Sequence, residues 1–172
     1  TLINLIPRFY DIDSGEILVD GVNIRDMKQD DLRSKIGFVP QQAVLFTGSI
    51  KDNIRYGKDN ATDGEVFHAA EIAQATNFIN NMTEGFDSYI SQGGTNVSGG
   101  QKQRLSIARA LVRKPEIYIF DDSFSALDFK TDANLRQALK SETTNSIVLI
   151  VAQRVSTVMD ADRIIVLEEG RI

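Results

Sequence analysis

The sequence predicts an α/β fold built on a mainly parallel β-sheet. From Pro115 onward, short apolar runs alternate with segments whose apolar residues recur at helical spacing. Two of the runs, 147–151 (IVLIV) and 164–167 (IIVL), are continuously apolar, which is typical of strands buried on both faces of a parallel sheet. Because no internal repeat or low-complexity linker divides the 172 residues, we expect a single domain over 1–172.

A short helix, a hairpin and a strand are predicted in the first part of the chain. TLINLIPRFY has the apolar spacing of a helix, which Pro7 helps to end. Asp20-Gly21 joins two β-prone runs in GEILVDGVNIRDM, and this dipeptide is a strong hairpin signal. DDLRSK then predicts a helical turn, and IGFVPQ predicts a strand that leaves into a loop at Pro40.

Helices dominate the prediction for the middle of the chain. TDGEVFHAAEIAQA carries apolar residues at helical spacing behind a Thr62 or Asp63 cap. A Gly-rich loop, SQGGTNVSGG, precedes the helical segment QKQRLSIARALVRK, which Pro115 ends. The remaining elements are expected in the order strand, helix, strand, short helix and strand: IYIF, TDANLRQALKS, SIVLIVA, VSTVMDAD and RIIVLEEG.

Composition narrows the classes of function. The net charge of −5 argues against an electrostatic nucleic-acid binder, since such proteins carry a basic surplus or patch. The lack of cysteine excludes a disulfide framework and a cysteine-ligated metal site. No apolar stretch approaches the roughly 20 residues of a membrane span. The sequence opens inside a helical pattern and stops at EEGRI, where a new strand would start, so we expect it to be a fragment of a longer protein.

The segment NVSGGQKQR predicts an anion-binding helix start. Its two glycines allow an anion to approach free backbone N–H groups of the following helix, where the helix dipole favours negative charge. Ser98 adds a hydroxyl donor, and Lys102 and Arg104 add positive charge. Taken alone, a Gly-Gly helix start is more often a tight turn, so both interpretations stay open at this point.

The segment IYIFDD predicts a metal site at a strand end. An Asp at the C-terminal end of a strand is where nucleotide-binding folds hold Mg²⁺, usually through water, and the next residue is placed to orient an attacking water. The alternative is a pair of strand-end acids that cap Ser123 or a loop amide. Gln41 or Gln42, just past another strand, has an amide that can reach a metal or a water; the alternative is a solvated loop residue.

Taken together and in their order, these stretches resemble the nucleotide-binding domain of ATP-binding cassette (ABC) transporters. VSGGQ resembles the family signature, IYIFDD its Walker B strand, SALD its D-loop, PQQAVLF its Q-loop and VAQR its switch (H-loop). TLINLIPRFYD and GSIKDNI also match, and the latter resembles the exporter branch. The resemblance implies a P-loop NTPase-like ABC ATPase domain with a mainly parallel sheet core. It also implies a helical subdomain, over roughly 50–113, that bears the signature, and part of an antiparallel β subdomain.

The resemblance further implies ATP and Mg²⁺ as cofactors. Asp121 would hold Mg²⁺ through water, and Gln41 would contact the metal and the attacking water. Asp122 and Gln153 would occupy the catalytic positions together with Gln41. Thr1 matches the residue just after the phosphate-binding loop G-x-x-G-x-G-K-[ST], and we count it with the nucleotide-binding residues.

By the same resemblance, the signature residues would act on a second molecule. They would close over ATP held by a second nucleotide-binding domain, in a head-to-tail dimer with two ATPs at the interface. Asp128 would lie across that interface, or cap the helix at FKTDANL, and the two roles can coexist. Transmembrane domains of an exporter would be further partners, on the cytoplasmic face of the plasma (inner) membrane, and no nucleic-acid partner is expected. The signature residues are Ser98, Gly99, Gly100 and Gln101.

Three departures from the family pattern shape the expected function. The phosphate-binding loop and the adenine-stacking aromatic are not in the sequence, so the isolated chain is expected to bind ATP poorly and to be inactive. Asp122 stands where active members have Glu, and it is shorter by one methylene, on the order of 1.5 Å. Gln153 stands where the family has its switch His, and the Gln amide takes up no proton and carries no positive charge at neutral pH.

Both substitutions beside an intact SGGQ resemble the degenerate half of a heterodimeric exporter. Such a half binds ATP at a slow site and lends its signature motif to the competent site of its partner. Other interpretations are a homodimer that uses Asp122 as a working base, a soluble ABC-type ATPase of DNA maintenance or translation, and a non-enzymatic interaction module when the chain is isolated. The only histidine, His68, lies on a predicted helix outside these motifs, and we expect an ordinary helix residue.

Overall fold

The computed structural model describes residues 2–172, so the prediction for Thr1 lies outside the described residues. The strands are β1 (Leu18–Val19), β2 (Val22–Asn23), β3 (Ile36–Val39), β4 (Gly48–Ser49), β5 (Tyr89–Ile90), β6 (Ile117–Asp121) and β7 (Ile147–Val151). The α-helices are α1 (Gln29–Ser34), α2 (Ile50–Arg55), α3 (Asp63–Ile72), α4 (Thr76–Asn80), α5 (Gly99–Leu111), α6 (Phe129–Glu142) and α7 (Val155–Val158). Short 3₁₀ helices cover Leu2–Leu5, Gly85–Asp87 and Gln92–Gly94.

The central sheet is parallel and has the strand order β3-β6-β7. Ile36 of β3 pairs with Ile117 of β6, which pairs in turn with Ile147 of β7, so the three strands start in register. Because the strands run in the same direction, their carboxyl ends lie at one edge of the sheet. The predicted α/β fold with a parallel sheet core is confirmed.

β6 is buried because side chains cover both of its faces. Successive residues of a strand point to opposite faces, and Tyr118 and Phe120 join one hydrophobic cluster while Ile117 and Ile119 join another. The first cluster includes apolar side chains of α2, α3 and α5. The second includes side chains from α1, the β1–β2 hairpin and Ile3. A continuous apolar run is therefore the sequence that this central position requires.

The β1–β2 hairpin turns at Asp20-Gly21, as predicted. Val19 pairs with Val22, which leaves these two residues as the loop. Both have positive φ, 52° for Asp20 and 77° for Gly21. A two-residue type I′ turn requires positive φ at both positions, and Asp-Gly meets that requirement at low cost.

Capping boxes define where three of the helices begin. Ser49, Thr62 and Ser98 each accept a hydrogen bond from the backbone amide three residues later, at the start of α2, α3 and α5. In return, the side chain at that later position accepts from the amide of the capping residue. The Thr62 cap predicted for α3 is confirmed.

The last predicted strand, RIIVLEEG, is absent from the described structure, so that prediction is wrong. Residues 164–167 are exposed, and an isolated bridge between Glu168 and Arg171 follows them. An apolar run signals burial but does not supply a hydrogen-bonding neighbour, and within residues 2–172 this run has no paired strand.

Burial on both faces was also predicted for 147–151, and it is partial: Val148 and Ile150 pack against one hydrophobic cluster and Leu149 packs against the other. β7 is an edge strand of the central sheet in the described chain, and both Ile147 and Val151 are exposed. At the other end of the chain, the opening helix is a 3₁₀ helix over Leu2–Leu5. None of the helices of the described structure combines the length and the hydropathy that crossing a membrane requires.

Candidate functional site

The carboxyl edge of the central sheet brings together the three residues predicted to be catalytic. Gln41 follows β3 and Pro40, Asp122 follows β6 directly, and Gln153 follows β7. β6 lies between the other two strands and runs parallel to both. Side chains from three distant parts of the sequence therefore meet where these strands end.

Asp122 lies at the centre of this group. Its Oδ2 accepts hydrogen bonds from Gln153 Nε2 at 3.0 Å and from Gln41 Nε2 at 3.3 Å. Asp122 is only 8% exposed, so the two amides replace water that would otherwise hydrate the carboxylate. The residues on either side of β6 thus hold one carboxylate oxygen in place.

The backbone of Asp122 makes the turn that leaves β6. Its φ is 45°, in the left-handed region that Asp tolerates better than most residues. Its amide donates to the carbonyl of Val151 at 2.9 Å. Ser125 Oγ donates to its carbonyl at 2.8 Å. Asp122 is therefore fixed at the sheet edge by its backbone as well as by its side chain.

Asp121, the last residue of β6, offers a carboxylate that a cation could use. Its carbonyl oxygen lies 3.3 Å from Ser123 Oγ, whose shorter hydrogen bond goes to the Val39 carbonyl, whereas its carboxylate has no hydrogen-bond partner in residues 2–172. Mg²⁺ is usually held by one or two carboxylates together with waters and substrate phosphates. The Asp121 carboxylate and the side-chain oxygen of Gln41 fit that set of donors. No group of three or more acidic or histidine side chains that could enclose a metal occurs in the described chain, so a closed all-protein site is not formed.

The predicted anion-binding segment forms the N-terminus of α5. Ser98 is the N-cap: its Oγ accepts from the Gln101 amide at 3.3 Å, and Gln101 Oε1 accepts from the Ser98 amide at 2.8 Å. Ser98 and Gly99 are exposed, and open space surrounds Gly99. The first turn of this helix therefore leaves room for an anion beside its N-terminal amides and the positive end of its dipole.

Gly100 and Arg104 have packing roles at the start of α5. A Cβ at Gly100 would lie 3.2 Å from the Ala126 carbonyl oxygen, so glycine permits close approach to the SALD segment. Arg104, expected to add positive charge, instead donates to the carbonyls of Gly100 and Gln74 at 3.3 and 2.8 Å. Its guanidinium also lies over the Phe78 ring at 4.7 Å. Arg104 therefore supports the helix rather than pointing to an anion.

Asp128 caps α6, the structural role that sequence reasoning allowed. Its Oδ1 accepts from the amides of Lys130 and Thr131 at 3.1 and 3.0 Å, and its Oδ2 accepts from Thr131 Oγ1 at 2.7 Å. The amide of Thr131 is the leading cause that lowers the pKa of Asp128. The carboxylate is exposed as well as capping, and its predicted position across a dimer interface stays a prediction.

Arg154 is a residue of the site region that sequence reasoning missed. It donates to the carbonyls of Ser125 and Leu127 at 3.1 and 3.4 Å, and its guanidinium lies over the Phe129 ring at 5.1 Å. Arg154 therefore ties the VAQR segment to the SALD segment. Its place next to Gln153 in VAQR was the only sequence signal that could have indicated it.

The predicted site residues fall into two groups. Gln41, Asp122 and Gln153 meet at the sheet edge, whereas Ser98–Gln101 form the start of α5, and no hydrogen bond of the described chain joins the two groups. His68 belongs to neither group. It lies on α3 with its side chain 47% exposed, and its Nε2 is 3.1 Å from Glu142 Oε2 on α6. The prediction that His68 is an ordinary helix residue agrees with this position.

Known proteins share both the sequence and the fold of this chain. The sequence profile of a family described as ABC transporter matches residues 1–125. Putative multidrug export ATP-binding/permease proteins of Staphylococcus aureus, from strains NCTC 8325 / PS 47 and COL, are 48% identical to the chain over 172 residues. A solved structure described as a bacterial Atm1-family ABC exporter with ATP bound is similar to it with a TM-score of 0.96 and 40% identity.

These matches include nearly all of this chain but a smaller share of the relatives. They cover 100% of the chain against the two S. aureus proteins and 99% against the solved exporter. The chain spans 30% of the length of each of these relatives.

Proposed function

This chain belongs to the ABC transporter family, and we propose that it acts as the nucleotide-binding domain of a bacterial exporter subunit. Family members bind ATP with Mg²⁺ and use its hydrolysis for transport, and the similar solved exporter holds ATP. The S. aureus relatives, described as multidrug export proteins, support the exporter branch over a soluble ABC-type ATPase of DNA maintenance or translation. In this proposal residues 1–172 belong to one domain, whose helical subdomain covers roughly 50–113.

The proposed partners are transmembrane domains and a second nucleotide-binding domain. The relatives are described as ATP-binding/permease proteins, which supports membrane domains as partners of this chain. An exporter of that kind uses cytoplasmic ATP, so we place the domain on the cytoplasmic face of the plasma (inner) membrane. The exposed start of α5 supports the second partner, since it is available to an ATP that another domain holds.

Asp121 and Gln41 are the residues proposed to hold Mg²⁺. Asp121 contributes a carboxylate that has no hydrogen-bond partner among the described residues, and Gln41 contributes its side-chain oxygen while its Nε2 donates to Asp122. When bound, the ion would neutralise negative charge on the phosphates of ATP.

The two hydrogen bonds that Asp122 accepts support a more specific proposal about the rate of hydrolysis at this site. A general base must present a free acceptor within hydrogen-bond reach of its water. Oδ2 of Asp122 accepts from Gln153 and Gln41, which leaves Oδ1 as the open acceptor in the described chain, and the side chain is one methylene shorter than the Glu that active members carry. A misplacement of about 1 Å can cost roughly 10²-fold in rate. We therefore propose a site that binds ATP and hydrolyses it slowly.

Gln153 strengthens this proposal because an amide has no proton-transfer chemistry at neutral pH. Its Nε2–H can donate a hydrogen bond to Asp122 or to a phosphate oxygen, but it cannot take up a proton. The same chain keeps Ser98, Gly99, Gly100 and Gln101, which we propose to complete the competent site of a different partner subunit. The chain is then the degenerate member of a heterodimer.

Steady-state ATP hydrolysis by the full-length transporter tests this proposal. Asp122→Ala should leave at least half of the turnover, because most hydrolysis occurs at the partner's site. Removing the catalytic acid of the partner should abolish turnover. Asp30→Ala, which removes an exposed acid from α1, is the matched control.

An Asp122→Ala variant as inactive as the variant without the partner's acid would overturn the degenerate assignment. It would favour a homodimer in which Asp122 works as the base. Purification of a native complex that contains only this chain would point the same way.

A further inference from the structure

Two buried side chains hold the segment that carries Gln41. Ser123 Oγ donates to the carbonyl of Val39 at 3.0 Å, and Gln103 Nε2 donates to the carbonyl of Pro40 at 3.1 Å. Ser123 is 0% exposed and Gln103 is 2% exposed. Two consecutive carbonyls just before Gln41 therefore have buried donors that come from different parts of the chain.

Gln103 is an unusual residue for its place in the core. It lies on α5 close to buried apolar residues such as Leu105 and Ile107. Burying an amide without a partner costs free energy, and removing one partner of a buried hydrogen bond costs more than the bond contributes. The Pro40 carbonyl satisfies the donor side of this amide, at a separation of 63 residues in sequence. The bond thus makes the position of Pro40 depend on α5.

The same bond lies one residue from the catalytic group. Gln41 follows Pro40 directly, and its Nε2 reaches Asp122 Oδ2 at 3.3 Å, just beyond the usual range for an N–H···O bond. A shift of the Pro40 carbonyl by a few tenths of an ångström would lengthen or break that contact. Gln41 has no other side-chain hydrogen bond within the described residues to hold it in place.

We propose that Gln103 is a positioning residue, which from α5 fixes the Pro40 carbonyl and so keeps Gln41 directed at Asp122. The residue acts through Gln41 and has no contact with nucleotide of its own. Because α5 begins with Ser98–Gln101, Gln103 also connects the helix of the signature motif to the Asp122 site of the same chain. This inference rests on the proposed nucleotide-binding role of Gln41.

A double-mutant cycle on MgATP binding tests the proposal in the full-length transporter. Gln103→Met keeps the volume of the side chain and removes the donor, and Gln41→Ala removes the group to be positioned. The measurement is a photolabelling titration with azido-ATP, in which the amount of label on this chain is followed against nucleotide concentration. We expect each single variant to raise the half-saturating concentration on the order of tenfold, the change that the loss of about one hydrogen bond produces in a binding equilibrium.

The double variant should then bind no more weakly than Gln41→Ala alone, since residues that act through one contact are not additive. A structural role alone would lower the labelled amount at saturation and leave the half-saturating concentration unchanged. Thr143→Val is the matched control, because Thr143 Oγ1 is another buried donor to a backbone carbonyl, that of Leu139 at 2.8 Å, on α6. We expect the control to retain the parental half-saturating concentration.

Full additivity of the two variants would overturn the proposal. A half-saturating concentration equal to that of the parent, for either Gln103→Met or Gln41→Ala, would overturn it as well. If Gln103→Met is not recovered as folded protein, Gln103→Leu is measured in its place. If neither variant folds, Gln103 serves folding alone and the proposal is overturned. The cycle reports binding and not hydrolysis. Its result is therefore independent of whether Asp122 acts as a base.

Discussion

At the scale of single residues, Asp122 and Gln153 form a pair that differs in chemistry from a carboxylate and an imidazole. Gln153 Nε2 donates to Asp122 Oδ2 at 3.0 Å, and its lone pair is delocalised into the amide, so it does not take up a proton at neutral pH. An imidazole in that place can both donate and accept. Gln41 adds a second donor to the same oxygen at 3.3 Å. The carboxylate is therefore well oriented but lacks a partner for proton transfer.

Restoring both family residues should restore hydrolysis. We expect Asp122→Glu combined with Gln153→His to raise ATP turnover at this site by roughly 10²-fold, because the carboxylate gains reach and the imidazole gains proton-transfer capacity. The measurement is steady-state ATPase activity of the full-length transporter whose partner subunit lacks its catalytic acid.

Asp30→Glu is the control, since it lengthens an exposed acid on α1, outside the site, by the same methylene. It should leave turnover unchanged. A double variant at Asp122 and Gln153 no faster than the parent would show that these two residues do not limit the site.

At the scale of secondary-structure elements, α3 and α5 begin with the same capping motif but have different proposed roles. Thr62 and Ser98 each form a capping box with the residue three positions later. Both caps satisfy helix-terminal amides, which stabilises a helix by about 1 kcal/mol. Only the Ser98 cap belongs to the segment proposed to complete a partner's nucleotide site.

Removing each cap should separate stability from function. We expect Thr62→Ala and Ser98→Ala to lower stability by similar amounts, about 1 kcal/mol each, which thermal unfolding measures. Only Ser98→Ala should also reduce ATP turnover of the full-length transporter, by on the order of tenfold or more. Equal turnover for the two variants would remove the proposed role of Ser98.

The start of α3 also predicts a pH dependence. The side-chain hydrogen bond from Lys58 is the leading cause that lowers the pKa of Glu65 from 4.5 to about 2. Because the folded-state pKa lies below the unfolded value, the contribution of Glu65 to stability is present above pH 4.5 and is lost as the pH falls toward 2. Glu65→Gln should therefore lower the unfolding temperature at pH 7, with the difference shrinking through that window.

Glu71→Gln on the same helix is the matched control for this pH dependence. Glu71 is exposed and forms no ion pair within the described residues, so its variant should match the parent across the pH range. A constant difference between Glu65→Gln and the parent from pH 7 to the acid end would contradict the assigned role of the carboxylate charge.

The elements that were predicted correctly from the sequence are those that depend on their own residues. The Asp20-Gly21 turn and the Thr62 cap depend on local chemistry, and both formed as expected. RIIVLEEG was predicted wrongly because an apolar run does not reveal whether a neighbouring strand is available. The contact of Gln41 and Gln153 with one oxygen of Asp122 depends on the register of three strands, so sequence could propose the residues but not their hydrogen bonds.

At the scale of the whole molecule, the two groups of site residues lie on different parts of one chain. The sheet edge carries Asp121, Asp122, Gln41 and Gln153, whereas the exposed start of α5 carries the signature. Gln103 connects the two regions through Pro40, but the signature residues themselves make no hydrogen bond to the sheet-edge group in the described chain. This separation supports a mechanism in which each chain completes a nucleotide site with a second domain.

The fate of the ATP bound to this chain distinguishes a site that retains ATP from one that hydrolyses it. Full-length transporter is allowed many turnovers with azido-ATP labelled on either the α- or the γ-phosphate, is photolysed, and its subunits are separated. A site that holds ATP without hydrolysing it keeps both labels on this chain, whereas a hydrolysing site keeps only the α-label. We predict equal retention of the two labels on this chain and loss of the γ-label on the partner subunit. Loss of the γ-label from this chain at the rate seen on its partner would contradict this prediction.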